Sequence, residues 1–156
     1  MHVQSVMALD PGSVRIGVAV TDPTHTIVVP LEIIPAEPLE SRWARIEGII
    51  MEREIGMIVV GLPRRARGDE GPEAGSARAF ASALAERFHL PVTMWDERFT
   101  SAEAQRTISP ERAAKNVRNP RRGGAPREKE RVDSVAAALL LQGWLEHESI
   151  TDGAVR

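Results

Sequence analysis

Two apolar runs, "VMALD" and "RIGVAV", stand only four residues apart near the start of the chain, with "PGSV" between them. A parallel pair needs a crossover of a dozen residues or more, so runs this close can pair only as an antiparallel hairpin. A third apolar stretch, "IVVPLEII", follows after another short, turn-rich gap. The chain therefore opens on an antiparallel meander, with strands expected over Val3–Asp10, Arg15–Thr21 and Ile27–Ile34 and a turn over Pro11–Val14.

After the meander the pattern changes period. "LESRWARIEGII" sets Leu39, Trp43, Ile46 and Ile50 at spacings of four, three and four, which predicts a helix with one apolar face. "MIVVGLP" is a short apolar run of the kind buried inside a sheet. The Gly-containing loop "RRARGDEG" leads to a helix from about Pro72, with Ala77, Phe80, Leu84 and Phe88 as its stripe. "PVTMWDE" is the next strand, and Thr100 to Glu103 has the form of a capping box opening another helix. Ser109 to Pro126 lacks periodicity and is expected to be a loop. "REKERVDSVAAALLLQGWLE" predicts a final helix, strongly apolar after Val132. Strands alternating with helices pair in parallel. The expected fold class is α/β: a mixed five-stranded sheet in the order β-β-β-α-β-α-β-α-α, with helices on both faces. A length of 156 residues fits a single domain, here residues 1–148, with 149–156 as a flexible tail.

One residue of the hairpin breaks the rule for strands. Asp10 ends the first apolar run, where Asp is disfavoured and a buried charge is costly unless paired or bound to metal. Two further acids stand at comparable places. Glu97, with Asp96 beside it, ends the last strand, and Asp133 lies early in the final helix on the side of Ala136, Ala137 and Leu140. In an open sheet of this class, sites gather where strand order reverses. Each acid alone is most simply a turn or capping residue, and Asp133 favours a helix N-terminus in any case. Three carboxylates brought together would repel, and a divalent cation would resolve that. Hard oxygen ligands select Mg²⁺ or Mn²⁺. Two such ions roughly 4 Å apart activate water and stabilise the leaving oxygen in phosphodiester cleavage.

The net charge of −2 hides an uneven distribution. Arg112 to Arg131 holds eight basic and two acidic residues, leaving the remainder acidic. A local positive stretch against an acidic site suits an anionic polymer. Arg118, Arg121 and Arg122, beside Gly123 and Gly124, are the leading candidates for phosphate contacts. Arg64, Arg65 and Arg67 form a second group, and Arg15, Arg98, Lys129 and Arg131 stand near the acids. Such contacts are expected to be salt-dependent and insensitive to base sequence. With three Trp, three Phe and no Tyr, base-stacking platforms are not expected. Trp43 reads as core; Trp95 and Trp144 read as packing at the final helix. No cysteine is present, which excludes thiolate metal sites, disulfides and a cysteine nucleophile. No run approaches the ~18 apolar residues of a membrane span and no signal segment is seen, so a cytoplasmic protein is expected.

Taken together, "ALDPGSVRIGVAVTD", "IVVGLPRRARGDEGPEA", "LPVTMWDERFTSAEA" and "KERVDSVAAALLLQGWLE" resemble the YqgF/RuvX family, over about Ser5 to Leu145. The resemblance implies a ribonuclease H-like fold, nuclease activity and a role in trimming the 5′ end of precursor 16S ribosomal RNA. It puts the family's three catalytic acids on Asp10, Glu97 and Asp133. It also implies a kinship with Holliday junction resolvases, and hence branched DNA as the alternative substrate; a resolvase would work as a homodimer, an RNA trimmer equally as a monomer. Family members usually carry an aromatic residue where this chain has Pro11, and often an asparagine near Arg64 and Arg65. Two rival classes remain at this stage. A nucleotide-binding fold of the actin and Hsp70 type opens on a similar hairpin but needs two such domains. A nucleic-acid-binding module without catalysis would have no need of all three acids.

Overall fold

The computed structural model describes residues 4–63, 70–96 and 128–154, the side chains of 128–133 and 149–154 excepted. Within them the chain forms β1 (Ser5–Pro11), β2 (Arg15–Thr21), β3 (Val28–Pro35), α1 (Leu39–Glu52), β4 (Ile55–Leu62), α2 (Pro72–Phe88), β5 (Val92–Asp96) and α3 (Glu128–Ala154). The sheet runs β3-β2-β1-β4-β5. β1 is antiparallel to β2 and β2 to β3, while β1, β4 and β5 are mutually parallel. The expected mixed sheet is therefore present. The helix expected from Thr100 and the loop over 109–126 lie outside the described residues.

The first hairpin is tight. β1 runs one residue beyond the expected Asp10, because Pro11 still pairs with Ile16. The turn then closes through Gly12 N–H on the Arg15 carbonyl at 2.8 Å. A Cβ at Gly12 would stand 2.7 Å from that same oxygen, so the turn requires glycine here.

Two apolar layers sandwich the sheet, set by the two-residue alternation of the strands. Met7 and Leu9 of β1, Ile16, Val18 and Val20 of β2, and Ile58 and Val60 of β4 pack with Ile46 and Ile49 of α1 and with Phe80, Ala81 and Leu84 of α2. Val6 and Ala8, Ala19 and Val59 face the other way, against Ala137, Ala138, Leu140, Leu141 and Trp144 of α3. Helices thus cover both faces, as expected.

The helix ends follow local chemistry. α2 begins with Pro72 in its first turn and Glu73 beside it, and a fixed φ and an acid both suit an N-terminus. It stops at His89, whose left-handed φ of 53° lets its N–H reach the Ala85 carbonyl at 3.0 Å. In α1 the expected stripe needs one correction. Leu39 is 49% exposed, and Ile49 is fully buried in its stead. Leu39 opens the first turn, where the helix has not yet come over the sheet. Trp43 packs on the core as expected, stacked on Phe80 with ring centroids 5.8 Å apart. The final helix extends through the residues read as a flexible tail: "EHESITDGA" holds no proline to stop a helix, and α3 continues to Ala154.

A buried charge on the α1 face escaped sequence reading. Glu32 of β3 is 6% exposed. Arg45 of α1 clasps it with both arms of its guanidinium, Nε donating to Oε2 at 2.9 Å and Nη2 to Oε1 at 2.5 Å. This bidentate pair raises the Arg45 pKa further, chiefly through its hydrogen bond to Glu32.

Candidate metal centre and nucleic-acid interface

The parallel strands β1, β4 and β5 end on the same edge of the sheet, and Asp10 and Asp96 stand there. Leu9 pairs with Val60, and Val60 with Met94. Asp10 is one residue beyond that row. It pairs directly with Gly17 of β2, and paired residues share a face. Its neighbours on that face are Ala8 and Val6, which pack on α3. Asp10 thus belongs to the α3 face, and it is half-buried where Ala8 and Leu9 are fully buried.

The same alternation separates the two acids at the end of β5. Trp95 pairs with Gly61 and packs on the α3 side, with its ring 4.9 Å from that of His147 on α3. Met94 and therefore Asp96 belong to the α1/α2 side, where Asp96 is buried and pairs with Leu62. Asp96 is thus removed from the face of Asp10. Glu97, the expected ligand, lies outside the described residues, immediately after Asp96.

Asp133 lies within α3, four residues before Ala137 and seven before Leu140, both buried against the sheet. Those steps return to the same side of a helix. The backbone position of Asp133 is thus on the sheet-facing stripe of the helix that covers Asp10's face. Ser134, next to it, is completely buried. Trp144 and Trp95 pack together in the α3 layer, as expected of them.

Of the basic candidates, Arg15 is the one whose side chain is described. It opens β2 two residues before Gly17 and so shares the α3 face, diagonal to Asp10 across the hairpin. Diagonal neighbours lie roughly 7–8 Å apart, within reach of an arginine. Lys129 and Arg131 belong to the first two turns of α3. Arg64, Arg65, Arg67, Arg98, Arg118, Arg121 and Arg122 lie outside the described residues. His25 Nε2 lies 2.7 Å from the Gln4 carbonyl, and His89 caps α2.

What is described fits a hard divalent cation. The donor is a carboxylate at a strand end, half-open, with Gly17 directly across from it on β2. Among the described residues no three acids or histidines gather into a complete ligand set.

The fold has close counterparts among solved structures. The Thermus thermophilus RuvC bound to a Holliday junction superposes with a TM-score of 0.51 at 17% identity, covering 93% of this chain and 96% of that one. A fowlpox virus resolvase in complex with Holliday junction DNA gives 0.54 at 8% identity, over 92% and 98%. The fold is therefore ribonuclease H-like, of the RuvC kind. Closer in sequence is a Chloroflexus aggregans protein named as a candidate pre-16S rRNA nuclease, 40% identical over 147 residues, 94% of this chain and 96% of its own length. A protein of the same name from Thermoanaerobacter pseudethanolicus is 38% identical over 143 residues, 92% and 96%. The sequence model of the family described as RuvX, Holliday junction resolvase, matches residues 4–147, and the chain belongs to that family.

Proposed function

We propose that this protein is a metal-dependent nuclease acting on precursor 16S ribosomal RNA, built as one domain over residues 1–148. The observation that carries the reading is the position of Asp10 on the face covered by α3, the helix that contains Asp133. Its relatives' names supply the substrate.

In this reading Asp10, Glu97 and Asp133 would hold two Mg²⁺ or Mn²⁺ ions. When bound, such ions activate a water and stabilise the leaving oxygen of a phosphodiester. The protein's own part is geometric and electrostatic. β1 presents Asp10 from a rigid sheet edge, on the face that α3 covers. The negative charge of the three acids repels phosphate, so attraction comes from cations elsewhere on the chain. Arg15, diagonal to Asp10, is the first of these; Arg64, Arg65, Arg67, Arg98, Arg118, Arg121, Arg122, Lys129 and Arg131 extend the same role along the strand. No described helix is long and apolar enough to cross a membrane, and a role in RNA processing fits the cytoplasm.

A second reading, branched-DNA resolution, draws on the family's description and on the junction-bound structural neighbours. It requires two active sites in a homodimer, whereas RNA trimming works in a monomer. Purified protein incubated with matched RNA and junction DNA, with and without Mg²⁺, separates them. Preferential cleavage of RNA supports the first reading and paired nicks across a junction the second. Binding without cleavage of either would mark a module without catalysis.

A further inference from the structure

At the level of Asp10, the α3 face of the sheet carries no side chain on either neighbouring strand. On β2 the residue directly across is Gly17. On β4 the residue one step beyond the Leu9–Val60 pair is Gly61, and it belongs to the same face, since it pairs with Trp95 and alternates with Val59. Side chains resume on the outer strands, with Ile33 across from Gly17 and Trp95 across from Gly61. One row lower, Ala19, Ala8 and Val59 fill the face and pack on α3.

Glycine inside a strand weakens it and gives nothing to pack, and it often marks a close approach by a ligand. Two glycines flanking the one carboxylate of the row concentrate that cost at a single point. Both are buried while Asp10 is half-open.

We propose that Gly17 and Gly61 are positioning residues for the metal site: they keep both flanks of Asp10 clear for a divalent cation and its remaining ligands. The geometry is tight enough for one methyl to matter. Directly opposed Cβ atoms in a sheet stand about 4.5–5.5 Å apart. A Mg²⁺ held by Asp10 would need further oxygen ligands close around it. A Cβ on Gly17 or Gly61 would enter that shell from the side. The proposal rests on the nuclease reading, because it takes Asp10 as a ligand.

The test uses the full chain and Mn²⁺ as the probe, titrated calorimetrically with no substrate present, alongside thermal unfolding in EDTA. The variants are Gly17→Ala and Gly61→Ala. Gly75→Ala is the control, since a Cβ there meets nothing within 4 Å. Gly17→Ala and Gly61→Ala are expected to weaken Mn²⁺ binding by on the order of 10- to 100-fold, the range seen when groups supporting a metal site are lost. Their melting temperatures in EDTA should hold or rise, because alanine suits a strand interior better than glycine. Gly75→Ala should bind as the wild type does. Unchanged Mn²⁺ affinity in both strand variants would overturn the proposal. So would a fall in their metal-free melting temperature, which would mean that the glycines serve only the packing of α3. Absence of Mn²⁺ binding by the wild type would instead sink the metal reading of Asp10 itself, a different outcome.

Discussion

Trp95 and Asp96 are consecutive on β5 and face opposite sides of the sheet. Trp95 packs in the α3 layer, and Asp96 is buried on the α1/α2 side across from Leu62. Asp96 therefore belongs to the face opposite to Asp10. Glu97→Gln is expected to lower cleavage by several orders of magnitude, as loss of a metal ligand does. Asp96→Asn is expected to leave the rate within roughly tenfold of wild type while lowering the melting temperature. Single-turnover rates and melting curves of the two variants check the assignment; the reverse pattern would move the ligand to Asp96.

The Glu32–Arg45 pair gives a prediction for stability alone. Removing one partner of a fully buried pair costs about 3–5 kcal/mol. Arg45 is still 36% exposed at its side chain, so Arg45→Ala is expected to cost less, on the order of 2 kcal/mol. Cleavage per folded molecule should not change, because the pair lies on the α1 side of the sheet. Urea unfolding with a parallel activity assay checks both halves.

Asp22 sets part of the acid limb of stability. Its Oδ1 accepts from the Ile27 N–H at 2.7 Å and the Thr26 N–H at 2.8 Å, and Thr24 Oγ1 donates to its other oxygen. These bonds, the one from Ile27 foremost, hold its carboxyl down at about 2. The folded value lies below the unfolded one of about 3.9. Its stabilising contribution is therefore fully present above pH ~4 and lost as pH falls through ~2. Asp22→Asn should flatten the decline in melting temperature between those limits and lower stability at neutral pH. An unchanged slope over that window would contradict the linkage.

Arg118, Arg121 and Arg122 lie in the densest positive stretch of the chain. Changing all three to Ala should weaken nucleic-acid binding and flatten its salt dependence, by roughly 0.7 to 0.9 in log–log slope for each lost contact. The cleavage rate of saturated enzyme should change much less. An identical salt slope would shift the phosphate contacts to Arg64, Arg65 and Arg67.

Much of this architecture was legible in the sequence because short gaps leave few choices. The four residues between "VMALD" and "RIGVAV" forced the hairpin, and the switch from strand period to helix period announced the parallel half of the sheet. The place of Asp10 was legible for the same reason, as it stands at the end of an apolar run. Register was not legible. That Gly17 lies across from Asp10 depends on where the turn closes, and Pro11 extends the strand one residue past the expected end. The ion pair of Glu32 with Arg45 was also hidden. A lone acid in "VVPLEII" hinted at it, but its partner depends on how α1 is rotated over the sheet. Leu39 shows the same limit, since helical spacing fixes a stripe but not where along it contact with the sheet begins.

The central claim is that Asp10 is a metal ligand of a nuclease site, and Asp10→Asn tests it most directly. Asparagine keeps the shape and removes the charge that a cation requires. Cleavage of a precursor ribosomal RNA fragment should be measured with wild type and variant at saturating Mg²⁺ and again in excess EDTA. The expected result is Mg²⁺-dependent cleavage by the wild type, none by the variant, and near-equal RNA affinity for both. Undiminished cleavage by Asp10→Asn, or by the wild type in EDTA, would contradict the account.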